Sequence, residues 1–250
     1  MNGEEYHQDT PAEFGEDEDQ EEVSRAGGCL KKALALLTVL AFIALISLDF
    51  TNLFSGRFSF LDQSKDLAED EIVRRCRPAV VSVEAGLRRG TGFNISPSGT
   101  VITNQHIVGD SRMIVIQFGD GRRYFTDQYR AVPGADLVVV TVRDDARDLP
   151  VVELDRENRV KSGDTVTIIG NPLGFEKISQ RGSVGSFHRT TDSQTPIFDI
   201  NIPINPGNSG SPVINSRGKV VGIVFASTTV QTDGGPETRA LAFPVQVLPE

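Results

Sequence analysis

Apolar residues in this chain follow two different patterns. Ala33 to Leu48 is an unbroken run of sixteen uncharged, mostly apolar residues, apolar on every face of a helix. Beyond Ala79 they come as short clusters rich in Val and Ile, separated by Gly, Pro, Asn or Asp. Segments of that length and composition, with turn formers between them, read as strands rather than helices. A first set is expected at Val80–Val83, Gly92–Ile95, Val101–Thr103, Met113–Phe118, Tyr124–Arg130 and Leu137–Val142. A second is expected at Val151–Leu154, Thr165–Ile169, Ile178–Gly185, Ile197–Ile204, Pro212–Ile214, Lys219–Ala226 and Ala240–Val247. Regularly spaced strands with no helix-period segments between them argue an all-β barrel or sandwich fold. Two groups predict two small barrels, split near 145–162. Only Asp66 to Arg75 has helical composition ahead of them, and Pro78 ends it.

The long apolar run is flanked by Lys31 and Lys32 on one side and Asp49 on the other. A spanning helix wants about 20 residues. Snorkelling of Lys32 and the apolar Phe50, Leu53 and Phe54 make up the shortfall. A cleavable signal peptide fits less well, because some thirty residues precede the run. The excess of Arg25, Lys31 and Lys32 before it predicts a single membrane anchor with its N-terminus inside and the β-rich part outside the cytoplasm. The expected organisation is a tail at 1–30, an anchor at 31–50, a linker at 51–65 and a folded domain at 66–250.

Charge changes this picture in one place. The net charge of -9 is concentrated at the front: residues 1–22 hold ten Asp or Glu and no Lys or Arg. The remainder carries 24 acidic against 25 basic side chains, so the folded part is close to neutral. Nucleic-acid binding is therefore not expected. The acidic head has too few apolar residues to bury and should be a solvated tail. Two cysteines, Cys29 and Cys76, lie on opposite sides of the apolar run and cannot staple one domain. Cys76 is expected as a small buried thiol, and no Cys/His cluster has metal-ligand spacing.

The chemistry centres on Ile204-Asn-Pro-Gly-Asn-Ser-Gly-Ser-Pro212, which holds Ser209 between Gly207 and Gly210. Glycines let the backbone turn tightly and come close to another molecule. A serine held there exposes its Oγ, and the N–H groups of Gly207 and Ser209 can converge on one oxyanion hole. The bland alternative is a polar turn. A base is available: of the three histidines, His106 lies in Thr100-Val-Ile-Thr-Asn-Gln-His-Ile-Val108, after a strand-like run. Asp136 opens the apolar Ala135-Asp-Leu-Val-Val-Val-Thr-Val142, where a carboxylate needs a partner. Asp110, Asp120 and Asp127 compete with it for that role, and Ser211 competes with Ser209.

In order and in wording, Thr103-Asn-Gln-His-Ile-Val, Ala135-Asp-Leu-Val-Val and Gly207-Asn-Ser-Gly-Ser-Pro resemble the trypsin-like serine proteases of the HtrA/Deg type. Gly170-Asn-Pro-Leu-Gly-Phe175 and Ala242-Phe-Pro-Val245 fit the same pattern. The resemblance covers about residues 66–248. It implies two six-stranded antiparallel barrels with a cleft between them, and a catalytic triad of His106, Asp136 and Ser209 needing no metal or cofactor. It implies polypeptide substrates that are unfolded or damaged, and an assembly, a homotrimer, built through N-terminal segments such as that holding Phe54, Phe58 and Phe60. The base of its first specificity pocket falls at Pro203 and Ile204, without a carboxylate, so cleavage after small or medium aliphatic residues is expected. Arg189 falls at a regulatory loop, and His188, matching no motif, is expected in a loop. The sequence ends at Glu250, where the family commonly continues into PDZ domains, so either the protease domain works alone, without a PDZ domain, or the sequence is a fragment of a longer chain. A protease-fold binding or regulatory module with a closed site is the alternative.

Overall fold

The computed structural model describes residues 59–142, 146–232 and 234–249, together with Thr38. The acidic tail and the anchor expected at 31–50 lie outside them, as do Phe54 and Phe58. Among the described residues no helix is long and apolar enough to cross a membrane. The unit spanning Phe58–Glu250 is described below.

Two short helices open it. α1 (Ser59–Asp66), inside the stretch read as a linker, is followed by α2 (Glu71–Cys76). Asp70 caps α2: its Oδ1 accepts from the N–H groups of Ile72 and Val73 at 3.0 and 3.2 Å. This satisfies donors that the first helical turn leaves unpaired. The other carboxylate oxygen accepts from Arg181 at 2.7 Å, and this bond holds Asp70 below its ordinary pKa against the opposing effect of burial.

Thirteen strands follow among the described residues. The first sheet contains β1 (Val80–Ala85), β2 (Arg88–Asn94), β3 (Thr100–Thr103), β4 (Ile114–Gln117), β5 (Arg123–Thr126), β6 (Tyr129–Ala131) and β7 (Val138–Thr141). Its order is β5-β4-β1-β2-β3-β7-β6, every pair antiparallel. The expectation of six strands is corrected to seven, because the segment read as Tyr124–Arg130 breaks at Asp127 and Gln128. Its halves become the two edges of the sheet. Two residues join those edges, and Thr126 Oγ1 and the Thr141 N–H bond across the break at 2.8 and 2.9 Å. The sheet therefore curls shut through a bent chain rather than a continuous ladder.

The second sheet is a closed six-stranded barrel, β10-β13-β12-β11-β8-β9. Its strands are β8 (Thr165–Gly170), β9 (Ile178–Arg189), β10 (Pro196–Ile200), β11 (Pro212–Asn215), β12 (Val220–Thr232) and β13 (Gly235–Pro244). Val151–Leu154, expected as a strand, makes one bridge, Leu154 to Val220. β9 runs past Gly185 to Arg189, so His188 stands in a strand rather than a loop. Its Nε2 lies 3.0 Å from Asp199 Oδ2. The first half of β9 pairs with β8 and the second half with β10. The Gln63 side chain of α1 bonds both the N–H and the C=O of Arg181 on that first half. An edge otherwise open to another strand is thereby covered.

Apolar burial falls into three clusters. Val83, Val101 and Ile116 belong to the one inside the first barrel, and Ile168, Phe198 and Val224 to the one inside the second. The third fills the seam, where Val80 and Phe93 of the first sheet meet Ile214 and Ile223 of the second. Val73 and Cys76 of α2 join this seam cluster. Burial drives the Cys76 thiol pKa upward. The barrels are thus docked through shared apolar surface, and the candidate site lies along that dock.

Candidate active site

His106 is carried on α3 (Gln105–Val108), a single helical turn after β3. Asn104 precedes it, but its side chain does not cap the turn. Instead Asn104 Nδ2 donates to the Asp136 carbonyl at 2.8 Å, and the Gln105 N–H donates to the same oxygen at 3.3 Å. The helical turn is thus tied to the segment entering β7. Asp136 Oδ1 accepts from the His106 backbone N–H at 2.9 Å, and Oδ2 lies 2.5 Å from His106 Nδ1. An ionised carboxylate can only accept, so Nδ1 carries the proton and Nε2 of a neutral ring is left with its lone pair. The ring is about half exposed, at 47%. Of the competing carboxylates, Asp120 is engaged by Arg122 at 2.7 Å.

Two consecutive turns share Asn208, and Ser209 is a central residue of the second. The Asn208 N–H donates to the Asn205 carbonyl at 3.1 Å, and the Ser211 N–H to the Asn208 carbonyl at 3.0 Å. Pro206-Gly207 and Ser209-Gly210 are the central pairs, and both glycines have positive φ, +101° and +83°. A positive φ at the third residue is the type II requirement. A side chain at either glycine would also collide with backbone oxygen: Asn171 O at Gly207, Thr91 O at Gly210. Among the described residues the N–H groups of Gly207 and Ser209 donate to no protein group. They remain free to receive an oxyanion. Ile204 packs, half-buried, against the core of the second barrel.

The fully buried Thr91 of β2 binds this loop to the first barrel. Its N–H donates to the Ser209 carbonyl at 2.8 Å, and its Oγ1 donates to the Gly207 carbonyl at 2.7 Å. The same Oγ1 accepts from the Asn171 N–H at 2.9 Å. Next to it, a Cβ built on Gly90 would lie 2.5 Å from Ile107 Cδ1 and 3.1 Å from the Ser209 carbonyl. The helical turn bearing His106 and the serine loop therefore flank one glycine. The structure brings His106 and Asp136 together and sets the loop of Gly207 and Ser209 beside them. His106 Nε2 and Ser209 Oγ share no hydrogen bond. Sequence reasoning missed Thr91, Asn104 and Asn171. Asn104 and Asn171 stand inside two of the runs that carry the resemblance, and Thr91 between Gly90 and Gly92, but none of the three was given a role.

Two curled sheets sharing a seam, with a carboxylate-held imidazole on one side and a serine in a double turn on the other, follow the plan of trypsin-like proteins. The chain belongs to the trypsin-like peptidase domain family, whose model matches residues 90–223. Over 160 residues, 63% of its length, it is 33% identical to a Pseudomonas fluorescens protein described as a probable periplasmic serine endoprotease, DegP-like. It spans 33% of that relative's length. Among solved structures it resembles a serine endoprotease from Yersinia pestis, at 28% identity and a TM-score of 0.58 over 70% of this chain and 61% of that one. The HtrA-type protease AlgW in complex with a tripeptide is similar too, at 25% identity and a TM-score of 0.59 over 70% and 59% of the two chains.

Proposed function

We propose that this chain is a membrane-anchored serine endopeptidase that hydrolyses peptide bonds of unfolded or damaged proteins through an acyl-enzyme on Ser209. A neutral hydroxyl is a weak nucleophile and needs a base. His106 Nε2 takes the Ser209 proton as Oγ attacks the scissile carbonyl, and Asp136 holds the ring and stabilises the imidazolium. The carbonyl oxygen becomes an oxyanion and accepts from the N–H groups of Gly207 and Ser209. Collapse breaks the C–N bond, and His106 passes its proton to the departing amine. Water, deprotonated by the same ring, then releases the acyl group and restores Ser209. The observation that carries this reading is the 2.5 Å contact of His106 Nδ1 with Asp136, on the helical turn that flanks the serine loop.

The anchor is the apolar run 33–48, with the peptidase unit outside the cytoplasm, consistent with the periplasmic description of the relatives. The aliphatic surroundings of Ile204 favour cleavage after small or medium aliphatic residues. A homotrimer joined through N-terminal segments is the proposed assembly. A second reading, a regulatory module with a closed site, is favoured by the missing hydrogen bond between His106 and Ser209. Apo catalytic contacts are often long, however, and tighten with substrate. Labelling of the full-length chain with a fluorophosphonate, beside casein degradation, separates the two. The peptidase reading expects label on Ser209 and degraded casein, both lost in Ser209→Ala. A chain that neither labels nor degrades casein is the closed module.

A further inference from the structure

The cleft beside His106, about 740 Å³, is lined by Arg88, Arg89, Gln105, His106, Gly109 and Asp136. All six belong to the first barrel, whereas Ile204 and the apolar strand β12 belong to the second. The acyl half of a substrate faces that second-barrel surface. The amine leaving group must sit where His106 can hand it a proton, so the cleft of the first barrel receives the residues that follow the scissile bond. This placement rests on the peptidase reading above.

The charge of this cleft is unbalanced. Asp136 is engaged by His106, and Glu84 is engaged by Arg89 at 2.5 Å. Arg88 has no carboxylate partner among the described residues. Its guanidinium lies against Gly109, where a Cβ would collide with Nη1, so the glycine lets the cation lie along the cleft wall. Both arginines are exposed on the first two residues of β2. Three residues beyond Arg88 on the same strand, the Thr91 N–H holds the Ser209 carbonyl. A strand rises about 3.3 Å per residue, so Arg88 stands about 10 Å from that bond. A bound chain of like pitch reaches that distance within its first few residues.

We propose that Arg88 forms a subsite that selects acidic side chains in the residues immediately after the scissile bond. Guanidinium matches carboxylate in a planar fork, which gives the subsite geometry as well as charge. Exposure limits the effect, since solvent-facing pairs are weak and screened by salt.

Internally quenched peptides test this on the full-length chain. They share one acyl half ending in Val and differ at the two positions after the scissile bond: Glu-Glu, Gln-Gln or Lys-Lys. The expected kcat/KM order is Glu, Gln, Lys, with about fivefold between Glu and Gln at low salt, narrowing as salt rises. In Arg88→Glu the ratio of the Glu to the Lys peptide should invert. Equal rates for Glu and Gln peptides, or an unchanged ratio in Arg88→Glu, overturn the subsite while leaving the peptidase reading intact. If no peptide is cut and Ser209 takes no fluorophosphonate label, the peptidase reading falls and the subsite with it.

Discussion

Replacing Thr91 by Val tests how the serine loop is held. The two side chains have nearly the same shape, so packing at this fully buried position is kept and only the hydroxyl is lost. Two bonds go with it. The Asn171 N–H is buried and would be left without its acceptor. A buried donor stranded in this way costs about 1–3 kcal/mol. The Gly207 carbonyl is half-buried and can recover water, so its loss is nearer the about 1 kcal/mol of an ordinary hydrogen bond. Together they amount to about 2–4 kcal/mol, which for a unit of this size lowers Tm by about 5–15 °C. Part of that cost should appear as a displaced loop. A shift of about 1 Å at reacting groups costs about 100-fold in rate. Thr91→Val should therefore label with fluorophosphonate about 100-fold more slowly, while Thr91→Ser recovers most of the rate. A Thr91→Val protein with unchanged Tm and labelling rate would falsify the assignment of Thr91 as the residue that positions the loop.

Other substitutions have equally definite outcomes. Asp136→Asn should fold normally but lose about 10⁴ in kcat, the loss seen in the chymotrypsin-type template: with the amide oxygen on the His106 backbone N–H, the NH2 faces Nδ1 and donates to it, leaving the ring proton on Nε2; steady-state peptide hydrolysis checks this. Gly210→Ala combines left-handed backbone strain with collision against the Thr91 carbonyl, a cost of about 2–5 kcal/mol, readable as a Tm drop of about 4–20 °C. Asp70 has its folded pKa depressed by Arg181, so its stabilisation is present above the unfolded value of about 3.9 and is lost as pH falls through the folded one. Urea unfolding of wild type and Asp70→Asn should thus differ at pH 7 and converge in acid; a pH-independent difference rules out the Arg181 pairing as its source.

Much of this molecule could be read before its shape was known, and the exceptions share a cause. Strands buried on one face, such as Val80–Ala85 with its nearly alternating burial, write that burial into their composition. The outer part of β12, Ser227 to Thr232, leaves the barrel and pairs only with β13. Neither of its faces meets a core, so no apolar rhythm announces it. The bend at Asp127 and Gln128 had one local sign, the turn former Asp127, but the aromatic and β-branched residues around it read as one strand. His106, Asp136 and Ser209 became candidates because each sits in a distinctive local run, and the structure joins the first two. Thr91 reaches Gly207 across 116 residues of chain, and nothing local to either residue records that bond.

That bond has a bearing on how the molecule comes into being. Gly207 lies 116 residues after Thr91, so synthesis delivers the anchor long before the loop that it holds. The loop's shape depends on an anchor in the earlier half, so it is not fixed until both barrels have formed. The loop is then completed by the docking of the two barrels, and by neither one alone.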